Sequence, residues 1–300
     1  HAVVPVPLPM DRLPPIIEPH PFSGIYTSRF SPALVQRMEP GVMLNMSGGP
    51  IDTGMLMTHH LSHVCTAAET FAGRSIEALL VCHPIWATEH TKKALERAIV
   101  RGSTSAVMTV LRSEAEAVCA SFRASDLAKR QDGAIVLLSA GYTGAGVAVA
   151  HLSADGVRVL REAGDQAVLA GNVLDFAIQQ SAIKRLEAER LPFANVGSPP
   201  VWAELRFGAE KAKHAIKDAP FTDFELPPQI TPGMLAKVRV RLHGPAFRDL
   251  VASHVDKAMR LVDDLLRDAG VKPEAVSHVL LHGGTTHLPD VTRRMRAAFP

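Results

Sequence analysis

Residues 134–162 hold three short apolar runs separated by turn-forming residues, and this stretch constrains the fold more than any other. The first junction carries three glycines, and the second carries the pair Asp155–Gly156. An Asp-Gly pair between two apolar runs is a strong signal for a tight β-hairpin. The pattern therefore predicts an antiparallel meander with strands at 134–138, 147–152 and 157–160.

Outside the meander, segments with helical spacing alternate with short apolar runs. The runs at 79–82 and 279–281 contain no polar residue until their ends, which predicts fully buried strands. Alternating helices and strands are typical of an α/β protein. The expected helices span 54–72, 88–100, 114–122, 174–189, 202–217 and 246–268, and further strands are expected at 107–111, 224–226 and 238–240.

The first fifty residues differ from the rest, since nine of the 22 prolines lie in residues 1–40. Proline has no backbone N–H and breaks helices, so we expect residues 1–50 to be irregular, with order beginning near Asp52. Three roles are open for such a segment: a linker, a Pro-rich recognition ligand, or an arm laid across a neighbouring subunit.

Composition excludes several classes of protein. Of 300 residues, 47% are hydrophobic and 21% are charged, and the formal charge is only +2. This balance gives no reason to expect a nucleic-acid or membrane partner. No run approaches the roughly 18 apolar residues of a membrane helix. Three scattered cysteines argue against a disulfide framework, so we expect a reducing, cytoplasmic location.

Six motifs appear in the order, and nearly at the spacing, found in the ATPase domain of the seventy-kilodalton heat-shock chaperones. The four upstream motifs resemble the family's VITVPAYF at 79–86, NEPTAA at 113–117, AVYDLGGGTFDISI at 134–149 and GDTHLGGEDFD at 164–175. The two downstream motifs match EKAK at 210–213 and resemble VILVGGQTRMP at 279–289.

The resemblance implies an actin-like, ribonuclease-H-like ATPase fold with two lobes. It assigns 51–130 to the remainder of lobe I, 131–178 and 245–300 to the core of lobe II, and 179–244 to an outer subdomain. Strands 134–140 and 279–282 should then lie in one sheet. The family's first phosphate hairpin, GIDLGTT, has no counterpart, so we expect the N-terminal part of the domain to be incomplete in a chain that starts at His1.

The phosphate side of the implied nucleotide site is degraded. Leu138 and Ala145 stand at the family's two carboxylate positions, and only Gly141 and Thr143 match its glycine-rich loop. A hydrated cation needs carboxylates, so we expect no active ATPase, no catalytic residue and no bound metal. Glu114 falls on the family's magnesium-ordering glutamate, although a surface pair with Glu116 explains it equally well.

The adenosine side retains more of the family's residues. Glu210 and Lys213 match its ribose contacts, while Gly171 lies in the segment that resembles GGEDFD. The turn under the adenosine corresponds to Gly283, Gly284 and Thr285. The resemblance therefore implies ATP or ADP as a ligand. The alternative is that Glu210 and Lys213 form a solvated helix pair, since His214 and His287 replace the family's arginines.

His59 and His63 lie four residues apart on a predicted helix, a spacing that is also found in zinc sites. No acidic residue stands at the spacing of zinc hydrolases, so we expect surface histidines there.

Three functions remain open at this stage. The first is a non-catalytic chaperone-like binding partner, because degenerate members of the family act as fixed partners of J-domain proteins, some at the ribosome. The second is an active chaperone ATPase, and the third is a structural subunit of a large assembly.

Overall fold

The computed structural model describes residues 43–46, 49–102, 108–125, 132–190, 199–216, 219–228, 230 and 238–299. The predictions for residues 1–42 lie outside this set. Within it the protein is a mixed α/β molecule, as the sequence predicted.

The described residues form ten strands and seven α-helices, most of them within a few residues of the predicted positions. The strands are β1 (Met43–Met46), β2 (Gly49–Asp52), β3 (Ala78–His83), β4 (Met108–Ser113), β5 (Gly133–Ala140), β6 (Ala145–Ser153), β7 (Gly156–Asp165), β8 (Phe221–Glu225), β9 (Arg239–His243) and β10 (Val276–His282). The helices are α1 (Thr53–Ala72), α2 (Glu89–Gly102), α3 (Glu114–Ala124), α4 (Gly171–Ala188), α5 (Pro199–Ile216), α6 (Gly244–Ala269) and α7 (Pro289–Ala298).

The central sheet has the strand order β10-β5-β6-β7. Strands β5, β6 and β7 form the predicted antiparallel meander, in which Ala154 and Asp155 form the turn between the last two. Strand β10 lies parallel to β5, with Leu281 opposite Leu138 and His282 opposite Ser139. The predicted union of segments 134–140 and 279–282 in one sheet is therefore confirmed.

Strands β5 and β6 are buried on both faces, and alternate residues therefore enter two different surroundings. Ile135 and Leu137 of β5 lie in one apolar cluster with Ala115 and Cys119 of α3. Leu138 is 1% exposed and points to the opposite face of the sheet. This alternation decides which residues of β5 meet α3.

Two strands that were predicted to be buried are partly exposed. In β3, Leu80 is 59% exposed, and β3 pairs only with β4 within the described residues. In β10, Leu281 is half-exposed because β10 is the edge strand of the central sheet. An apolar run alone does not reveal whether a strand is central or at an edge, so the expectation of full burial was wrong.

Order also begins earlier than expected. Strands β1 and β2 form an antiparallel hairpin within the segment that was predicted to be irregular up to Asp52. Each strand has only four residues, which is too short for periodicity to show in the sequence.

The described residues divide into two compact units. The small unit spans 171–253, and the large unit contains the residues up to Ala170 and from His254 onwards. In the small unit, α4 packs against α5, and α5 packs on the β8–β9 hairpin. The predicted lobe boundaries at 51–130, 131–178, 179–244 and 245–300 stay a prediction. No helix of the described segments is long and apolar enough to cross a membrane.

Candidate functional site

Glu114 is the first residue of α3, where the helix is capped by Ser113 through a capping box with Glu116. The Glu114 carboxylate points toward the end of the central sheet. Its Oε1 accepts a hydrogen bond from Ser139 Oγ at 2.7 Å and lies 2.9 Å from His282 Nδ1. Its Oε2 accepts a long bond of 3.4 Å from the Ile85 amide.

Ser139 and His282 are the two residues of this cluster that sequence reasoning missed. They stand opposite each other at the ends of β5 and β10, and Ser139 Oγ lies 3.3 Å from His282 Nδ1. Ser139 is buried, whereas the His282 side chain is half-exposed. A signal was present, since each is a polar residue at the end of an apolar run directly before glycine-containing turns.

The hairpin between β5 and β6 is built around side-chain packing. The Gly141 amide donates to the Gly144 carbonyl at 3.0 Å, which closes the loop that contains Thr143. A Cβ at Gly144 would lie 2.5 Å from the ring of Trp86, so this glycine lets the indole lie directly on the hairpin. The position of the family's first carboxylate, Leu138, is buried on the face of β5 away from Glu114.

The Gly283–Gly284 turn follows β10 and meets the same hairpin. Gly283 has φ +88°, and a Cβ there would lie 2.5 Å from the Ala140 carbonyl oxygen, so only glycine fits. Thr285 Oγ1 donates to the Gly141 carbonyl at 2.8 Å. The structure therefore brings together the predicted residues Gly141, Gly283 and Thr285, and it leaves open space beside Gly284.

The remaining predicted residues belong to the small unit, where they form an internal ion pair. Lys213 Nζ lies 2.7 Å from Asp175 Oδ1 and donates to the Gly171 carbonyl at 3.1 Å. Lys213 is only 8% exposed, and Asp175 is fully buried. The idea of a solvated Lys213 was therefore wrong, because α4 covers this face of α5. Glu210 is partly buried one turn earlier on α5.

Around this pair runs a buried polar seam, which we define as Asn172, Asp175 and Gln179 of α4 with Arg206, Glu210 and Lys213 of α5. Burial raises the pKa of the Asp175 carboxyl to about 6, although the Lys213 ammonium opposes this rise. Burial also lowers the pKa of Arg206, and Glu210 counteracts that shift. Neither amide atom of the buried Gln179 has a hydrogen-bond partner among the described residues.

The residues present do not fit a hydrated magnesium ion. Magnesium requires oxygen ligands in octahedral geometry and keeps several waters, which carboxylates must hold. Leu138 provides no oxygen, and one oxygen of Glu114 is already engaged by Ser139 and His282. Open space lies beside the exposed Gly284, whereas the amide and the carbonyl of Gly141 are already engaged by Gly144 and Thr285.

His59 and His63 are both exposed on α1. Within the described segments, no group of three or more His, Cys, Asp or Glu side chains is arranged to hold a metal ion.

Comparison with known proteins confirms the resemblance to the heat-shock chaperones. The family model described as "Hsp70 protein" matches residues 29–300. Chaperone protein DnaK of Mycoplasmopsis pulmonis (strain UAB CTIP) is 26% identical over 232 residues, which are 77% of this chain and 38% of DnaK. The chain thus spans well under half the length of that relative. Because the family model covers most of the chain, this protein belongs to the Hsp70 family.

Proposed function

We propose that this protein is a non-hydrolysing Hsp70-family member that acts as a binding partner of another protein. The observation that carries this proposal is the burial of Leu138 at the position of the family's phosphate-side carboxylate. Phosphoryl transfer depends on metal ions and charged groups that neutralise the developing negative charge. At Leu138 the chain offers only an apolar side chain, packed inside a sheet.

The proposal includes bound ATP or ADP without a metal. Members of the Hsp70 family bind adenine nucleotides. The open space beside Gly284 supports such contacts in the actin-like fold that the resemblance implies. Lys213 contributes less than its match to the family suggests, because Asp175 and the Gly171 carbonyl already hold its ammonium group.

For the partner, we propose a J-domain protein, within a ribosome-associated complex. This assignment rests on the resemblance to degenerate family members. Without hydrolysis there is no nucleotide-driven cycle, so the protein presents one stable surface to its partner. The three cysteines are free thiols, which fits a reducing compartment such as the cytoplasm.

The test combines two measurements on the full chain. Phosphate release from radiolabelled ATP should stay at the level of a protein-free blank, with DnaK as the positive control. A pull-down from a cell extract should recover the same partner with ATP, with ADP and after enzymatic removal of nucleotide. Hydrolysis at a rate similar to that of DnaK, together with ATP-dependent release of the partner, would establish the alternative of an active chaperone ATPase.

A further inference from the structure

The cluster of Glu114, Ser139 and His282 is built from one residue that matches the family and two that do not. Ser139 stands where the quoted motif DLGGGT has leucine, and His282 stands where VILVGG has valine. These two changes lie 143 residues apart in the chain, yet their side chains meet on the same carboxylate oxygen. The three side chains therefore form a polar cluster that the family's motifs do not predict.

The geometry shows what the two side chains do to Glu114. Ser139 Oγ donates to Oε1 at 2.7 Å, and His282 Nδ1 lies 2.9 Å from the same oxygen. Because a carboxylate oxygen only accepts hydrogen bonds, this contact assigns His282 Nδ1 as a second donor. A water molecule bound to a divalent cation would have to displace both donors to reach Oε1. Because Ser139 is buried at the end of β5, it is held in place and does not rotate away freely.

Further carboxylates lie near the start of α3, so the hydrogen bonds to Glu114 affect whether a cation binds there. The hydroxyl of Ser113, which caps α3, donates to Glu162 at 2.5 Å, and the Ser113 amide donates to Glu116 at 3.3 Å. Three carboxylates therefore surround the start of this helix, and Arg112 approaches only Glu116, at 3.9 Å. Such a group attracts a cation unless the protein supplies its own hydrogen-bond donors.

We propose that Ser139 and His282 occupy the position at Glu114 that a hydrated divalent cation would take. Because of these two side chains, the protein binds its nucleotide without a metal ion. The proposal rests on the proposed function, because it explains how a nucleotide is accepted without magnesium. It also assigns a role to Glu114: the carboxylate anchors two neighbouring strand ends instead of ordering water around a metal.

The test uses Mn²⁺ alone as a paramagnetic probe, with the full chain labelled for amide NMR. In the wild type, Mn²⁺ should cause no selective broadening of residues around Glu114. The double variant Ser139→Leu/His282→Val frees the carboxylate and should bind Mn²⁺ there at least about tenfold more tightly, a range typical of changes around a metal ligand. Adding Glu114→Gln to the double variant should abolish the broadening.

His287→Val is the matched control, because His287 is an exposed histidine of the following turn that does not contact Glu114. This variant should behave as the wild type does. If the leucine of the double variant prevents folding, Ser139→Ala/His282→Ala removes the same two donors with smaller side chains. Selective broadening in the wild type overturns the proposal, and so does its absence in both double variants.

Two additional readouts separate this proposal from the proposed function. Nitrogen NMR of labelled histidine should show a protonated Nδ1 on His282 that shifts in Glu114→Gln but not in Glu116→Gln, and equal spectra would contradict the cluster. Calorimetry with ADP in the same samples tests nucleotide binding alone. If ADP fails to bind while the Mn²⁺ results are as expected, only the nucleotide part of the proposed function is lost.

Discussion

The large and the small unit differ in what surrounds the residues that match the family's motifs. In the large unit, the buried Leu138 stands where the resemblance implies a carboxylate, while Glu114 contacts Ser139 and His282. In the small unit, Lys213 matches the family, yet it lies buried against Asp175. In the large unit the expected residue type is replaced, whereas in the small unit the matching residue makes an internal contact.

A residue that matches a family motif is therefore not, by that match alone, evidence of a functional site. A buried ion pair is costly to break from one side, because the remaining charge is left without compensation. Lys213 therefore has a structural reason to persist that is independent of any ligand. The predictions below test whether each region is held by packing, as the structure indicates, or by a ligand.

The largest effect is expected for Leu138→Asp, which reintroduces the family's residue type. A carboxylate would then be buried inside the central sheet, which should destabilise the protein by at least about 4 kcal/mol. Hydrolysis of ATP should not return, because catalytic groups act as a unit and the others are missing. Urea unfolding and phosphate release measure the two outcomes.

Leu281→Asp is the matched control, since Leu281 is the half-exposed neighbour of Leu138 on β10. Its carboxylate reaches solvent, so the loss of stability should be less than half as large. Measurable turnover by a folded Leu138→Asp variant would show that the rest of the catalytic site is intact and would remove the contrast between the units.

The second effect is expected for Lys213→Met, which retains the aliphatic stem and removes the ammonium group. Asp175 would remain buried without this partner, so the free energy of unfolding should fall by about 3 kcal/mol. Lys211→Met, an exposed position on the same helix, should change it by less than about 0.5 kcal/mol.

The double variant Asp175→Leu/Lys213→Met sharpens this test, because an apolar pair of similar volume should recover much of the loss. No recovery would mean that the seam requires its charges for another reason. Equal stability of wild type and Lys213→Met would show that the ion pair does not hold α4 against α5.

Local patterns predicted most of the fold. The pair Asp155–Gly156 specified the β6–β7 turn, and the order of motifs predicted that β10 and β5 lie in one sheet. Both features depend on neighbouring residues or on the spacing of motifs, which the sequence shows directly. The exposure of Leu80 was missed, because it depends on which elements cover β3.

The site was harder to predict, because its contacts join distant residues. Ser139 and His282 meet only through the register of two parallel strands, so neither residue alone indicates the cluster. Likewise, the spacing of Glu210 and Lys213 suggested a pair on a solvated helix face. Only the packing of α4 shows that Lys213 reaches Asp175 instead.

The third effect concerns the glycine turn, in which packing explains Gly283 but not Gly284. Gly283→Ala should destabilise the protein by roughly 2 kcal/mol, because φ is +88° and the new Cβ meets the Ala140 carbonyl. Gly284→Ala is the control: its Cβ enters open space, so stability should stay within about 0.5 kcal/mol. Thermal unfolding compares the two variants. A Gly284→Ala variant that keeps its stability but loses ADP binding would assign this turn to a ligand.

The smallest effect is a pH dependence of the small unit. The pKa of Asp175 is about 6 in the folded protein, well above the ordinary value of 3.8, because burial disfavours the charged form. Between these two values the folded state binds more protons than the unfolded state, so stability rises as the pH falls. From about pH 7.5 to about pH 5, this group should add roughly 1 kcal/mol to the free energy of unfolding.

Asp175→Asn removes the titrating group, so the difference between wild type and this variant isolates its contribution. Denaturant unfolding at several pH values should show the wild type gaining stability relative to the variant on acidification. The sign of this stability difference shows whether burial or Lys213 dominates the pKa of Asp175. A wild type that instead loses stability relative to Asp175→Asn would have a lowered pKa at Asp175, as expected if Lys213 outweighed burial. The ion pair would then be strongly favourable, and replacing both residues by an apolar pair should fail to rescue stability.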